Sequence, residues 1–472
     1  MTASQSHHSK RGVDPNFPTR HSPEMHHTTP LAPPSLPIIH FLAGILVFLT
    51  GCTEQPAHAP SPGEKAPVEA VEKIPETERP PLDFEREGKR PGSHLAVMVT
   101  ANGMGELEDC GCTLRPLGGL ARRVQWIVGH EAIWTSRLVL DAGDLLAEES
   151  TLSEDHRSRV LDRAEVILGA HVVAGYDAHA LGDRDLALGL DALRRLTGPG
   201  RPALLCANTR TPGAPGAEPG SNNNPFQASA VFQRDGIKVG VIGVMGDDFP
   251  RRRELEERTG ITVTDPVTAV RKEANALRSS GVGILIVLAH AKPETMEAIA
   301  DEVPGLTAVF GSQTPRETDH PTPIGNTYLA DAHEKGKHIG LLGLHIAPND
   351  SAPVFHDPAG RAVLQELQGE VVRRIASRTR AIEGAEEAGR QGNLAWLKKN
   401  VVELKTELLE IRLSLGEMTD APANASVISW DLIPLDTSLP EHPEVQRTVS
   451  ALLTRHPALR KKKTAPENAP AP

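Results

Sequence analysis

The stretch GYDAHALGDRDLALG (Gly175–Gly189) lies between two short apolar runs, LVLDAGDLL (Leu138–Leu146) and PALLCAN (Pro202–Asn208). Apolar runs of this length that alternate with helical stretches are typical of buried strands in an α/β sheet, with reactive loops at the strand ends. The acidic loops Asp141–Asp144 and Asp183–Asp185 are then expected at one edge of the sheet. Clustered carboxylates at strand ends hold hard divalent cations in many folds. The pattern therefore predicts an α/β domain with a metal-binding edge.

The first 52 residues have the composition of a leader. Residues 1–37 are rich in His, Ser, Thr and Pro, which predicts disorder. The apolar run Pro37–Thr50 is short for a transmembrane helix but has the length of a signal-peptide core. It leads into LTGC (Leu49–Cys52), which resembles a bacterial lipobox, and that resemblance implies a diacylglycerol on Cys52. The alternative is a short membrane anchor or a buried helix that carries Cys52 by chance.

The Pro- and Glu-rich residues 53–92 are expected to form an extended, solvated tether. A lipid on Cys52 followed by such a tether predicts a protein of the bacterial cell envelope, anchored in a membrane and facing the periplasm or the cell surface. The net charge of −11 gives no reason to expect nucleic acid as a partner, because nucleic-acid-binding proteins favour a basic face.

Strand-like and helix-like segments alternate through residues 93–348 and predict the α/β domain there. Within it, Ala228–Met245 reads as a hairpin with Asp235-Gly236 as its turn. Asp265 followed by Pro266 predicts the N-cap and first residue of a helix.

Residues 349–460 are predicted to form an appended extension. Apolar residues recur there at three-to-four spacing from 359 to 415, with an interruption marked by Gly384, Gly389 and Gly392, so two antiparallel helices are expected. A further strand and helix follow, and residues 461–472 are predicted to be a solvated tail.

Seven short motifs then occur in an order that resembles one known family. They are GGLARR, LDAGD, YDAHALGDRDLALG, CAN, KVGVIGV, TDP and VLAH. This order is similar to that of the calcineurin-like metallophosphoesterases, and within them the 5′-nucleotidase branch. The resemblance implies a β-sandwich flanked by helices, with two metal ions held by five motifs at strand ends.

Only part of that ligand set is present. The first motif, Asp-x-His, is replaced by Asn102 and Met104, and the last, Gly-His-x-His, by residues 311–314, with Ser312 and Thr314 at the histidine positions. The metal ligands that the resemblance retains are Asp144, Asp183 and His290, with Ser312 in the place of a fourth. Three protein ligands and open positions suit one zinc or manganese ion, so one divalent metal or none is expected.

The resemblance places Arg184 and Asp185 at the catalytic positions, where the family has a histidine and an acidic residue. Arginine cannot donate a proton to a leaving group, because its pKa exceeds ~12. Arg184 is expected either to pair with Asp183 or Asp185, or to clamp a phosphate or sulfate with its guanidinium.

Cysteines supply a second hypothesis. Cys110 and Cys112 lie in the loop after the first strand, and Cys206 ends another central strand, so the three thiols are expected to converge near the site. They could ligate a soft metal or act in redox chemistry. A disulfide from Cys206 to Cys110 or Cys112 is the favoured alternative in an oxidising compartment.

The sequence thus predicts a lipid-anchored envelope protein whose domain is a single-metal hydrolase of phosphate esters and takes a small phosphate-containing ligand. The alternative is a non-catalytic binding or thiol-associated lipoprotein. A nucleotide substrate is poorly supported, because the chain after residue 350 has only Phe355, Trp396 and Trp430 with which to stack a base.

Overall fold

The structure is a computed structural model that describes residues 92–111, 116–211, 224–313, 317–388, 392–417, 422 and 424–460. The predicted leader with Cys52, nearly all of the tether, Cys112, Thr314 and the predicted tail lie outside the described residues.

The described strands form two large sheets and one two-stranded ribbon. The seven strands of the first sheet, in spatial order, are Phe355–His356 (β14), Ser426–Pro434 (β15), His338–Ile346 (β13), Ser93–Thr100 (β1), Arg137–Asp141 (β2), Ala178–Ala180 (β3) and Ala203–Leu205 (β4). The six strands of the second sheet are Thr322–Ile324 (β11), Thr327–Asp331 (β12), Ala308–Gly311 (β10), Ile284–His290 (β9), Ile237–Met245 (β7) and Ser229–Arg234 (β6). The ribbon pairs Thr209–Arg210 (β5) with Thr262–Val263 (β8).

The helices pack mainly outside the sheets. In chain order they are Leu120–Gly129 (α1), Glu154–Ala174 (α2), Leu190–Leu196 (α3), Arg252–Thr259 (α4), Pro266–Ser279 (α5), Pro293–Glu302 (α6), Gly360–Glu387 (α7), Leu394–Glu417 (α8) and Pro443–Arg455 (α9). Short 3₁₀ turns occur at Asp185–Leu188 and Pro457–Leu459. No helix among these described segments has the length and apolar character needed to cross a bilayer.

The core lies in three layers that make the fold a sandwich. The middle layer joins the facing sides of the two sheets, for example Val97 of β1 and Ile286 of β9. The second layer lies between the first sheet and helices α1, α2 and α9, and the third between the second sheet and helices α5 and α6. The predicted β-sandwich flanked by helices is confirmed.

Strand direction brings the polar loops together. Strands β1, β2, β3 and β4 are parallel, and so are β7, β9, β10 and β12 in the other sheet. Every residue of β9 is buried, as expected of a parallel strand covered on both faces. The carboxyl ends of neighbouring parallel strands meet at one edge, which is where the loop after β2, the loop after β3 and the end of β9 lie.

Several local predictions are confirmed. The hairpin β6–β7 turns at Asp235 and Gly236, both with positive φ, and Asp265 caps α5 by accepting a hydrogen bond from the Thr268 amide. The helical pair α7–α8 also forms, around a small core of Val371, Leu404 and Ile411 and their neighbours.

The extension after residue 348 is more integrated than the sequence indicated. Strand β15 pairs antiparallel with β13 over eight residue pairs, from His338–Pro434 to His345–Val427, and is therefore a member of the first sheet. Hydrophobic periodicity identified this segment as a strand but could not reveal a partner about 90 residues away in the chain.

Candidate metal and anion site

Three buried side chains meet at the shared sheet edge. Asp144 follows β2, Asp183 follows β3, and His290 is the last residue of β9. One ligand atom from each lies within 4.8 Å of the others. The three predicted metal ligands are therefore brought together by strands from both sheets.

The backbone around Asp144 is shaped for this placement. Gly143 has φ 110° and Asp144 has φ 55°, in the left-handed region that glycine tolerates and aspartate adopts only at moderate cost. Gly182, at the start of the neighbouring loop, packs directly on Asp144: a Cβ there would lie 2.8 Å from Asp144 Cγ and closer still to its Oδ1 and amide nitrogen. The two acidic loops can approach this closely only because residue 182 has no side chain.

His290 is held in a defined orientation. The hydroxyl of Ser312 donates to the carbonyl of Ala142 (2.7 Å), so its oxygen accepts the hydrogen bond from His290 Nδ1–H (2.8 Å). His290 Nε2 then faces Asp183 Oδ1 at 2.8 Å and Asp144 Oδ2 at 3.7 Å. Ser312, at the position of the family's fourth ligand, thus fixes the orientation of the His290 ring.

The three groups form a charged cluster with little access to solvent. Burial raises the pKa of Asp144 to about 6, with His290 opposing the shift and Asp183 adding to it. Burial alone would lower the pKa of His290, but the carboxylates of Asp144 and Asp183 raise it above its ordinary value. Two buried carboxylates beside a buried imidazole form surroundings that favour a cation, either a proton or a metal ion.

Arg184 forms the rim of this cluster. Its amide donates to Asp144 Oδ1 (3.0 Å), its Nε lies 3.3 Å from Asp144 Oδ2, and its Nη1 lies 2.8 Å from the Met104 sulfur. The expected ion pair is therefore present, but with Asp144 rather than with Asp183 or Asp185. The side chain is 33% exposed, so the guanidinium also borders solvent.

Asp185, for which a catalytic role was predicted, is bonded to the backbone, and that role stays a prediction. Its two carboxylate oxygens accept hydrogen bonds from the amides of Leu146 (2.8 Å) and Gly182 (3.0 Å). Burial, together with nearby Asp144, raises its pKa to about 7. With both oxygens bonded to backbone amides, Asp185 is a positioning residue that ties the two acidic loops together.

Of the ligands expected at the other metal position of the family, the described residues retain only the shared Asp144. Asn102 occupies the first place with φ 47°; it is buried, and neither its Oδ1 nor its Nδ2 has a hydrogen-bond partner there. Met104 follows with φ 49° and contacts Arg184. An amide and a thioether are poor substitutes for the lost carboxylate and imidazole, so a dinuclear centre does not fit this edge.

The described cysteines do not join the cluster. Cys206 is a fully buried free thiol that donates to Asn208 Oδ1 (3.4 Å), and burial raises its pKa to about 11. The favoured disulfide of Cys206 is therefore wrong in this structure. Cys110 accepts a hydrogen bond from the Leu117 amide, and neither group of potential metal ligands found among the described residues contains a cysteine. Since Cys112 lies outside those residues, the three-thiol cluster stays a prediction.

Hydrogen bonds beneath the site were not predicted from the sequence. Asp141, counted among the acidic residues of the edge, is fully buried and accepts from the Thr100 hydroxyl (2.6 Å) and the Gly143 amide (3.0 Å). It therefore stabilises the turn before Asp144. The strand–turn motif LDAGD was the available signal, but it did not distinguish a structural aspartate from a ligand.

Comparison with known proteins agrees with this geometry. No protein-family model matches the chain. The probable 5′-nucleotidase of Treponema pallidum is 28% identical over 261 residues, which cover 51% of this chain and 42% of the relative. The 5′-nucleotidase of Rattus norvegicus is 29% identical over 233 residues, 47% of this chain and 35% of the relative. The chain thus spans less than half the length of these relatives.

Two solved structures show the same fold. A 5′-nucleotidase precursor from Thermus thermophilus superposes with a TM-score of 0.50 at 18% identity, covering 78% of this chain and 60% of the other. The sulfate thiohydrolase SoxB of Thermus thermophilus gives a TM-score of 0.50 at 13% identity, covering 77% of this chain and 61% of the other. The resemblance inferred from the seven motifs is confirmed.

Proposed function

We propose that this protein, whose folded domain belongs to the 5′-nucleotidase branch of the calcineurin-like metallophosphoesterases, is a hydrolase of phosphate esters that uses a single divalent metal ion. The observation that carries the proposal is the orientation of His290. Its Nδ1–H is bonded to Ser312, so its Nε2 presents a lone pair, or a proton, to two carboxylate oxygens.

The donor set fits a metal ion. Two carboxylates and one imidazole are ligands that zinc and manganese accept, and the hydrogen bond to the distal nitrogen of His290 is the usual support of a ligating histidine. Asp144, Asp183 and His290 would hold the ion. A bound divalent cation supplies Lewis-acid chemistry towards a phosphate ester.

Arg184 is proposed to bind the anionic group of the substrate. It lies beside Asp144, is partly exposed, and carries a planar guanidinium suited to phosphate oxygens. It cannot protonate a leaving group. We therefore expect substrates whose leaving groups depart as stable anions, and a rate that falls steeply as the pKa of the leaving group rises.

The test combines metal content with turnover. Purified protein and the variants Asp144→Asn and His290→Ala are analysed for bound metal by mass spectrometry, and each is assayed with a series of aryl phosphate mono- and diesters. Asp191→Asn and His156→Ala are matched controls, because both residues are exposed on helices outside the sheet edge. We expect measurable hydrolysis in the wild type and both controls and none in the two site variants, which should each hold about one metal ion per chain fewer than the wild type.

Other outcomes separate the alternatives. Metal bound by the same residues without hydrolysis of any ester would leave an anion-binding, non-catalytic protein. A metal content in Asp144→Asn and His290→Ala equal to that of the wild type would refute the assignment of this site.

We further propose that Cys52 carries the lipid anchor, which would place the domain at the bacterial envelope on the side facing the periplasm or the surface. The support is the apolar run ending in LTGC and the Pro-rich tether that follows it. Membrane fractionation tests this proposal. The wild type should sediment with membranes and require detergent for release. If the Cys52→Ala variant behaved in the same way, the result would argue against lipidation.

A further inference from the structure

We propose that Glu317, His333 and His338 form a second metal site, separate from the first, that binds zinc. One ligand atom from each of the three residues lies within 4.8 Å of the others. The mixture of one carboxylate and two imidazoles is a ligand set typical of zinc sites with three protein ligands.

Pairing of the backbone brings the three together. Glu317 forms an antiparallel bridge with Ala332, which places its carboxylate beside His333, and Glu317 Oε1 lies 3.7 Å from His333 Nε2. His338 is the first residue of β13, and its ring meets that of His333 edge to face, with centroids 5.4 Å apart. Ligands of one zinc lie about 3.2–3.5 Å apart, given bonds of about 2.0–2.2 Å, so modest side-chain rotations suffice.

The turn that carries the histidines is fixed in an unusual conformation. His333 has φ 64° and Lys335 has φ 57°, both in the left-handed region that non-glycine residues seldom adopt. The turn is held there by the Lys335 amide, which donates to the carbonyl of Asn102 (2.7 Å), and by the Lys337 carbonyl, which accepts from the Leu435 amide (2.9 Å). Strained residues that the surrounding structure holds in place are common at ligand sites.

The local charges permit a cation. The positive charge of Lys337 is offset by Glu334, whose carboxylate lies 3.1 Å from the ammonium. The Glu317 side chain is 56% exposed and gives an ion access from solvent.

The strand order shows that this is not half of a dinuclear centre. His290 ends β9, whereas His333 follows β12, and β10 lies between these two strands. Neighbouring strands are about 4.8 Å apart, so the two strand ends are about 10 Å apart, whereas paired catalytic metals are about 3.5–4 Å apart. The two clusters would each hold their own ion.

The test is zinc binding by the full chain in an Asp144→Asn background, which disables the first site. Metal-stripped protein is dialysed against Zn²⁺ alone, and the affinity and stoichiometry are measured. We expect one zinc per chain. The zinc affinity should fall in His333→Ala and in His338→Ala, and by more than the ~10–100-fold loss seen when a residue that only supports a ligand is removed. His156→Ala, at an exposed helical histidine, is the control and should bind zinc normally.

A second variant keeps the proposal refutable if a histidine variant unfolds. Glu317→Gln changes a largely exposed side chain, and circular dichroism would verify its fold. It should weaken zinc binding and alter the visible absorption spectrum of the cobalt-substituted protein. The second site would be overturned if Glu317→Gln kept the zinc affinity and the cobalt spectrum of the protein without that change, or if the Asp144→Asn protein bound no zinc. Neither result would bear on the first site.

Discussion

Replacement of Gly182 by alanine tests the close approach on which the first site depends. The added methyl would overlap Asp144 Oδ1 and its amide nitrogen and would lie 2.8 Å from Asp144 Cγ, whereas carbon atoms in contact are about 3.5–4.0 Å apart. Two of the opposing atoms belong to a side chain that is itself fixed by the Arg184 amide, so the loops must separate.

The expected destabilisation combines two contributions. Overpacking of a closely packed site costs about 1–3 kcal/mol. Separation of the loops also weakens the hydrogen bond from the Arg184 amide to the Asp144 carboxylate, and a bond to a charged group contributes about 1.5–3 kcal/mol. Since both effects involve the same atoms, we expect the free energy of unfolding to fall by about 2–4 kcal/mol in total. This corresponds to a decrease in Tm on the order of 10 °C.

Denaturant unfolding and metal titration measure the outcome, with Gly169→Ala as the matched control. Gly169 lies within helix α2, and the nearest atom to a Cβ there is 3.9 Å away, so alanine should stabilise the protein by about 0.5–1 kcal/mol. Gly182→Ala should be destabilised and should bind the first-site metal poorly. Wild-type stability together with wild-type metal affinity in Gly182→Ala would refute the packing argument.

Three further predictions address other parts of the molecule. Ser312→Ala should weaken metal binding about 10–100-fold, because His290 Nδ1 loses the partner that orients it; calorimetric titration with Mn²⁺ or Zn²⁺ would show this, and unchanged affinity would contradict it. Asp265→Ala should cost about 1 kcal/mol in urea unfolding, because it removes the acceptor for the Thr268 amide at the start of α5. Burial raises the pKa of Asp431 from 3.8 to about 6, so between these values the native state keeps a proton that the unfolded state has lost. Its contribution to stability should therefore decline as the pH rises from about 4 to 6, and the pH profile of Asp431→Asn should lack that decline.

The sequence by itself determined the secondary structure of the domain and singled out the three predicted ligands of the first site. Apolar runs such as ILIVLAH (Ile284–His290) and turn residues such as Asp235-Gly236 act locally, so their pattern is enough to predict strands and a hairpin. Asp144, Asp183 and His290 were predicted as ligands from the resemblance of short motifs to those of the metallophosphoesterase family, and each follows or ends a strand at the same sheet edge.

The tertiary structure decided the role of each side chain at that edge. Ser312 proved to orient His290, Asp185 to bind the Leu146 amide, and Arg184 to pair with Asp144, since hydrogen-bond partners 22 to 40 residues away in the chain leave no periodic trace in the sequence. The membership of β15 in the first sheet and the meeting of Glu317 with two histidines depend likewise on pairing between distant segments. Such contacts exist only once the two sheets have packed, because packing alone fixes which loops become neighbours.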